Sequence, residues 1–131
     1  MNIGDAARAA GVSAKMARHY ESIGLISEPP RSDAGYRVYG EREVHLLRFI
    51  RHSRDLGFSL AQIRALLGLW QDRARPSREV RALAQAHLAE LAAKLAELQA
   101  MKATLQTLVS SCHGDERPDC PILDTLENGA R

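Results

Sequence analysis

The chain is short of aromatic residues, with Phe, Trp and Tyr together making up 5% of its 131 positions. Ala, Leu and Arg are plentiful instead, so the composition favours helices over strands. Cysteine is scarce as well. Cys112 and Cys120 are the only two, fewer than an iron–sulfur cluster needs. No stretch approaches the roughly 18 uncharged apolar residues of a membrane helix, so no membrane partner is expected. The opening "MNIGDAARAAG" lacks the basic segment and apolar run of a secretory signal. A cytoplasmic location follows as an expectation, with thiols kept reduced and a structural disulfide disfavoured. There is no Gly-rich phosphate loop, no nucleophile elbow and no metal site with an evident open position. His45, His52 and His87 fall on expected helices without a convergent acid. An enzyme is therefore not expected.

What is present is an uneven distribution of charge. Residues 1–75 hold 12 Lys/Arg against 8 Asp/Glu, a balance of +4, whereas residues 76–131 hold 6 against 8, a balance of −2. The length suits one or two small units with one modest core. A basic front half suggests a polyanionic partner, although a solvated arginine-rich surface accounts equally well for the charge alone.

The pattern along the front half narrows this. Asn2 is a good N-cap for a short helix ending at Gly11, and Ser13 for a second from about Ala14 to Ile23, stopped by Gly24. Two short helices across a tight glycine-containing turn form a helix-turn-helix. Ile3, Ala6, Ala7, Ala10, Val12, Met16 and Tyr20 supply its buried side. Lys15, Arg18 and His19 then face outward, and from Arg8 to Tyr20 there are three firm positive charges and no acid, which suits a recognition helix facing phosphates. Next, "PPRSDAGYRVYG" combines helix-forbidding prolines, turn residues and β-prone alternation. It predicts a short hairpin, or wing, carrying Arg31, Tyr36, Arg37 and Tyr39 beside that helix. "EREVHLLRFIRHSRDLG" follows as an amphipathic helix with Val44, Leu47, Phe49 or Ile50, and Leu56 on its inner stripe. "SLAQ" is a capping box, Ser59 with Gln62, opening a helix through about Leu69.

Beyond the polar break "QDRARPS", Pro76 is expected in the first turn of a long helix reaching about Val109. Ala84, Leu88, Leu91, Leu95, Leu98, Leu105 and Val109 recur at alternating steps of four and three, with Lys102 the polar occupant. That is a heptad seam on a helix of roughly 50 Å. So small a domain cannot cover it, and an antiparallel pairing with a second copy is expected in preference to folding back onto residues 41–70. A two-fold dimer also suits a palindromic site on double-stranded DNA.

The two cysteines stand after this helix, in "SSCHGDERPDC". Cys120 is placed to cap a short final helix starting at Pro121, with Ile122, Leu123 and Leu126 on its inner face. The positive end of that helix favours ionisation of the Cys120 thiol. Two sulfurs fall short of the four donors of a tetrahedral zinc site and suit two-coordinate Cu(I), Ag(I) or Au(I). His113, Asp115 and Asp119 are further donors by count, so the spacing leaves zinc, and also two unrelated thiols, open.

The "G-V-S-x-K-x-x-R-x-Y-E-x-x-G-L", "G-Y-R-x-Y" and "R-x-L-G-F-S-L-x-x-I" stretches together resemble the MerR family of transcription regulators. The C-x7-C loop followed by "PI" resembles its copper-responsive CueR/HmrR branch, and the similarity covers essentially all 131 residues. The resemblance implies a mainly α protein: a winged helix-turn-helix DNA-binding domain at 1–75, an antiparallel coiled-coil dimerisation helix at 76–110, and a metal-binding loop with a short helix at 111–131. It implies DNA contacts from Lys15, Arg18, His19 and Tyr20 on the recognition helix, from Tyr36 and Arg37 in the wing, and from Arg54. Cys112 and Cys120 are the implied ligands of Cu(I), Ag(I) or Au(I). Where divalent-metal members bring a cysteine to the start of the dimerisation helix, this chain has Ser77. Copper members commonly carry Pro after the first loop cysteine, whereas here His113 stands, which raises it as a third donor. The implied function is a homodimeric activator of copper-efflux promoters that distorts DNA on binding metal so that RNA polymerase can engage. Two alternatives are a cytosolic metal buffer or chaperone, and a DNA-binding regulator sensing redox through its thiols.

Overall fold

The computed structural model describes residues 1–129. Among the described residues there are six helices: α1 (Ile3–Ala10), α2 (Ala14–Ser22), α3 (Glu41–Asp55), α4 (Leu60–Gln71), α5 (Ser77–Ser111) and α6 (Pro121–Asn128). The chain divides into two compact units, Met1–Val80 and Arg81–Arg131. Among the described residues no helix is long and apolar enough to cross a membrane.

In the first unit the helix ends follow local capping chemistry. Asn2 accepts from the Asp5 N–H at 2.9 Å and Ser13 from the Met16 N–H at 3.1 Å, so each side chain satisfies a donor the helix leaves open. Gly11 closes α1 in the left-handed region, φ 78°, with Arg51 lying over it. Ser59 and Gln62 exchange the two bonds of a capping box at α4. At α3 the same reach is made by Glu43, whose carboxylate accepts from the Gly40 N–H at 2.8 Å.

α1 packs on α2 and α3, and α3 on α4. Leu47, Ile50 and Ile63 are fully buried where these helices meet, with Ala6, Ala7, Ala10, Ala17 and Tyr20 allowing close approach. Phe49 stacks on Trp70 at 4.6 Å, joining α3 to α4. Arg64 of α4 donates to the carbonyls of Ile23 at 2.9 Å and Gly24 at 3.2 Å, tying α4 to the end of α2. Two expected core positions are instead open. Met16 is 38% exposed on the outer side of α2, and Leu56 is 65% exposed because α3 has ended one residue before it.

The expected hairpin is reduced. Among the described residues it amounts to one antiparallel bridge, Arg31 with Arg37, and no strand. The ladder is short because Pro29 and Pro30 have no N–H to give. Pro30 offers only its carbonyl, to the Val38 N–H at 2.8 Å, and a turn with Gly35 at φ 86° reverses the chain.

In the second unit α5 is nearly bare, its one buried residue being His87, whose Nδ1 lies 3.6 Å from a Glu90 carboxylate oxygen. Pro76 directly precedes α5 rather than belonging to it, and its carbonyl receives the Glu79 N–H. Leu88, Leu91, Leu95, Leu98, Leu105 and Val109 are all exposed, between 40% and 64%. Nor does α6 have the apolar inner face expected of it, since Leu123 and Leu126 are 64% and 65% exposed. Eight residues of helix give too small a surface to cover their own leucines.

Candidate DNA interface and thiol loop

α2 presents Lys15, Arg18 and His19 to solvent. Its N-terminus is fixed by Ser13 and its C-terminal carbonyls by Arg64, so the exposed cations stand on a helix held at both ends. Lys15 and Arg18 make no side-chain hydrogen bond or ion pair among the described residues, and neither does Arg54 at the end of α3. Such cations are available to an outside anion.

Tyr20 is different. It is 4% exposed and packed in the core, so the structure places it in the support of α2 and not on its outward face. Its place follows from helical spacing. On α2 it lies three residues beyond buried Ala17, on the side opposite Lys15 and Arg18.

The wing is fastened by two carboxylates, Glu21 on α2 and Glu28 in the segment that follows it. Arg37 donates through Nη1 to Glu21 at 2.7 Å and lies 3.1 Å through Nε from Glu28. Arg31 reaches the same Glu28 oxygen at 2.7 Å and the Gly35 carbonyl at 2.9 Å. Tyr39 donates its hydroxyl to Glu21 at 2.6 Å. Tyr39 is 3% exposed, so this wing tyrosine is an anchor in the core rather than a surface residue. Burial pushes its hydroxyl above the usual tyrosine range, and the Glu21 carboxylate adds to that. The hydrogen bond from Arg31, then the charge of Arg37, holds the Glu28 carboxyl below the usual range. Arg37 is thus first a fastener of the wing, with its guanidinium already shared between two acids. Tyr36, 75% exposed at the turn, is the free wing side chain.

Sequence patterning missed Glu21, Glu28 and Glu43. Only Glu43, three residues after Gly40 at a helix start, carried a readable signal. A cleft of about 490 Å³ opens between the start of α1, α2 and the wing, lined by Asn2, Arg18, Arg31, Tyr36 and Arg37 among others. Its donors are mostly guanidinium, hydroxyl and amide groups, which match phosphate oxygens.

In the second unit Cys112 and Cys120 are free thiols, both half-buried. The Cys112 N–H continues the α5 pattern, donating to Leu108 and Val109 carbonyls. Cys120 is the N-cap residue of α6, and its carbonyl receives the Asp124 N–H at 3.1 Å. Between them Gly114 turns the chain at φ 63°, and Asp115 binds the Arg117 side chain and N–H, all near 3 Å. Asp115 is therefore engaged within the loop, and His113 points to solvent. No three His, Cys, Asp or Glu among the described residues form a metal-sized group. Ser77 is the exposed first residue of α5.

Residues 1–69 match the family of MerR HTH regulatory proteins, and residues 44–108 match the model described as MerR, DNA binding. The chain is 55% identical over 130 residues to heavy metal-dependent transcription regulator 2 of Rhizobium meliloti, spanning 99% of this chain and 88% of that relative. It is 39% identical over 126 residues to the transcriptional regulator CueR of Salmonella typhimurium, spanning 96% and 91%. The crystal structure of the transcription regulator PbrR691 from Ralstonia metallidurans CH34 in complex with lead(II) superposes with a TM-score of 0.84 at 37% identity. That match covers 96% of this chain and 98% of the other.

Proposed function

Because the chain belongs to the MerR family of helix-turn-helix transcription regulators, among the relatives of HmrR and CueR, we propose that it is a Cu(I)-responsive activator of copper-efflux promoters. As a family member it is a DNA-binding regulator and not an enzyme. The relatives named for heavy-metal dependence support a metal signal, and the donor set supports the choice of ion.

The carrying observation is that donor set. Two half-buried free thiols bracket one loop, and among the described residues no three His, Cys, Asp or Glu are grouped. Two soft sulfurs suit a two-coordinate monovalent ion, Cu(I) first and Ag(I) or Au(I) by the same chemistry. Cys112 and Cys120 supply the thiolates, Cys112 just past α5 and Cys120 as the N-cap residue of α6. Ser77 offers no third sulfur, which weighs against a divalent thiophilic ion. When bound, the ion supplies a cross-link between the two ends of the loop.

The rest is done by the chain. Two copies pair through the α5 seam and set two recognition helices on a palindromic promoter. Lys15, Arg18, His19 and Tyr36 contact the duplex, with Arg54 on its backbone and Arg37 holding the wing in place. Closing the 112–120 loop favours one arrangement of the two heads over another. The favoured arrangement bends and untwists the promoter, so that RNA polymerase meets both of its elements in register. The two states differ in DNA deformation energy, and the loop biases the choice between them. All this takes place in the cytoplasm, with the chromosome.

Transcription in vitro tests this, using a promoter the wild-type protein selects from its own genomic DNA and buffered Cu(I), Ag(I), Au(I), Zn(II) or Pb(II). Monovalent ions are expected to activate wild type and to leave Cys112→Ser and Cys120→Ser at the basal level. Activation by Zn(II) or Pb(II) alone, or full activation of either variant by Cu(I), refutes the metal assignment.

A further inference from the structure

We propose that Glu28 is an internal competitor for DNA phosphate, engaging both Arg31 and Arg37 and holding the Arg31 guanidinium until the DNA backbone takes it. This rests on the α2–wing face being the DNA interface. Both arginines point to a single acceptor, Oε1 of Glu28, at 2.7 Å and 3.1 Å. A carboxylate and a phosphate present alike oxygens to a guanidinium fork, so one can replace the other without rebuilding the donor. The exchange is inexpensive because all three side chains are about half exposed, and an exposed ion pair is weak.

Arg31 and Arg37 border the cleft beside Arg18 and Tyr36, where a phosphate would meet them. Glu28 lies in an adjoining recess of about 200 Å³ with Arg18, Glu21, Ser22 and Arg37. The carboxylate thus sits next to the place of the anion it stands in for. A glutamate is charged at neutral pH with or without its arginine partners, so the competition persists under working conditions.

The two wing carboxylates have separate tasks. Glu21 is 8% exposed and holds both Arg37 and the Tyr39 hydroxyl, so Arg37 keeps its place when Glu28 lets go. Arg31 has only Glu28 and the Gly35 carbonyl, so it is the side chain that can swing to a phosphate. Glu21 therefore fixes the wing, while Glu28 sets how much of its charge the DNA can use.

The measurement is fluorescence anisotropy of a labelled duplex, selected by the wild-type chain from a random-sequence pool, across a potassium chloride series. For Glu28→Gln we expect affinity to rise about fivefold at moderate salt. The plot of log affinity against log salt should steepen by up to about 0.9, the value of one phosphate contact, because Arg31 no longer divides its time between Glu28 and the backbone. Asp33→Asn makes the same charge change in the nearby wing turn and is expected to move affinity less than about twofold. In Glu28→Gln/Arg31→Ala the added slope should vanish.

Weaker binding by Glu28→Gln, an unchanged slope, or failure of that variant to fold would make Glu28 a strut and overturn the proposal. A gain from Asp33→Asn equal to that from Glu28→Gln would overturn it too, as a bulk-charge effect. If wild type itself shows no salt-dependent binding, the DNA-interface assignment fails. If wild type binds and Glu28→Gln does not tighten, only the role of Glu28 fails.

Discussion

Truncating Leu98 to alanine should weaken self-association of the chain by about two orders of magnitude. Leu98 is 58% exposed on α5, midway along a stripe of exposed leucines that continues to Val109. Leu→Ala removes three carbons, each contributing about 0.8 kcal/mol when moved from water to an apolar contact. Scaled by the fraction still exposed, the loss is roughly 1.4 kcal/mol per copy. A two-fold dimer contains the residue twice, so the interface loses about 3 kcal/mol, close to a hundredfold in Kd. Any cavity left in the seam increases the loss. Sedimentation equilibrium of wild type, Leu98→Ala and Gln99→Ala measures it. Gln99 lies one step off the seam and is exposed, so its truncation should leave Kd within about twofold, the range of an ordinary surface change. A Leu98→Ala Kd equal to that of Gln99→Ala would refute the heptad assignment, because no other property distinguishes the two sites so sharply.

The wing anchor supplies two more expectations. Arg37→Met leaves the nearly buried Glu21 carboxylate with the Tyr39 hydroxyl as its remaining partner, and should cost about 1–3 kcal/mol. Urea unfolding followed by the fluorescence of Trp70, the only tryptophan, reads this directly. An unchanged midpoint would mean that the carboxylate is adequately solvated without the arginine. For Tyr39, whose folded-state value lies above its ordinary 10.0, the unfolded chain gives up the proton first. Its stabilising contribution is thus complete below pH 10 and is lost as pH rises through the folded value, when the hydroxyl ceases to donate to Glu21. Subtracting the tyrosinate absorbance titration of Tyr39→Phe from that of wild type isolates this group. A difference curve centred at or below pH 10 contradicts the assignment.

How far these features could be read beforehand depends on the range of the interaction that makes them. Asn2, Ser13, Ser59 and Gln62 act within three residues of their own backbone partners, so their caps are visible in sequence and present in the structure. The long helix is equally legible, since its seam repeats along one continuous element. Tyr39 and Glu21 are 18 residues apart and meet only because the wing folds back on α2. An aromatic in an apparently exposed hairpin gives no local sign that it is an anchor. Tyr20 shows the reverse. Its helical spacing puts it with Ala17 on the inner side of α2, and that spacing outweighs its proximity to Lys15 and Arg18 in the chain.

Charge is where counting and structure part most clearly. The front half carries 12 Lys/Arg, yet several of them serve the fold. Arg8 pairs with Asp5, Arg48 donates to the Ala9 carbonyl, Arg64 to those of Ile23 and Gly24, and Arg37 to Glu21 and Glu28. A guanidinium held by carbonyls keeps its charge but has given up the donors that would grip a phosphate. The surplus of +4 therefore sets a long-range attraction that salt screens, while close contact falls to the few cations with free donors. On α2 those are Lys15 and Arg18, adjacent turns of one outward face. The set of cations free to grip DNA is narrower than the composition suggests, and binding strength should follow the freedom of individual donors more closely than net charge.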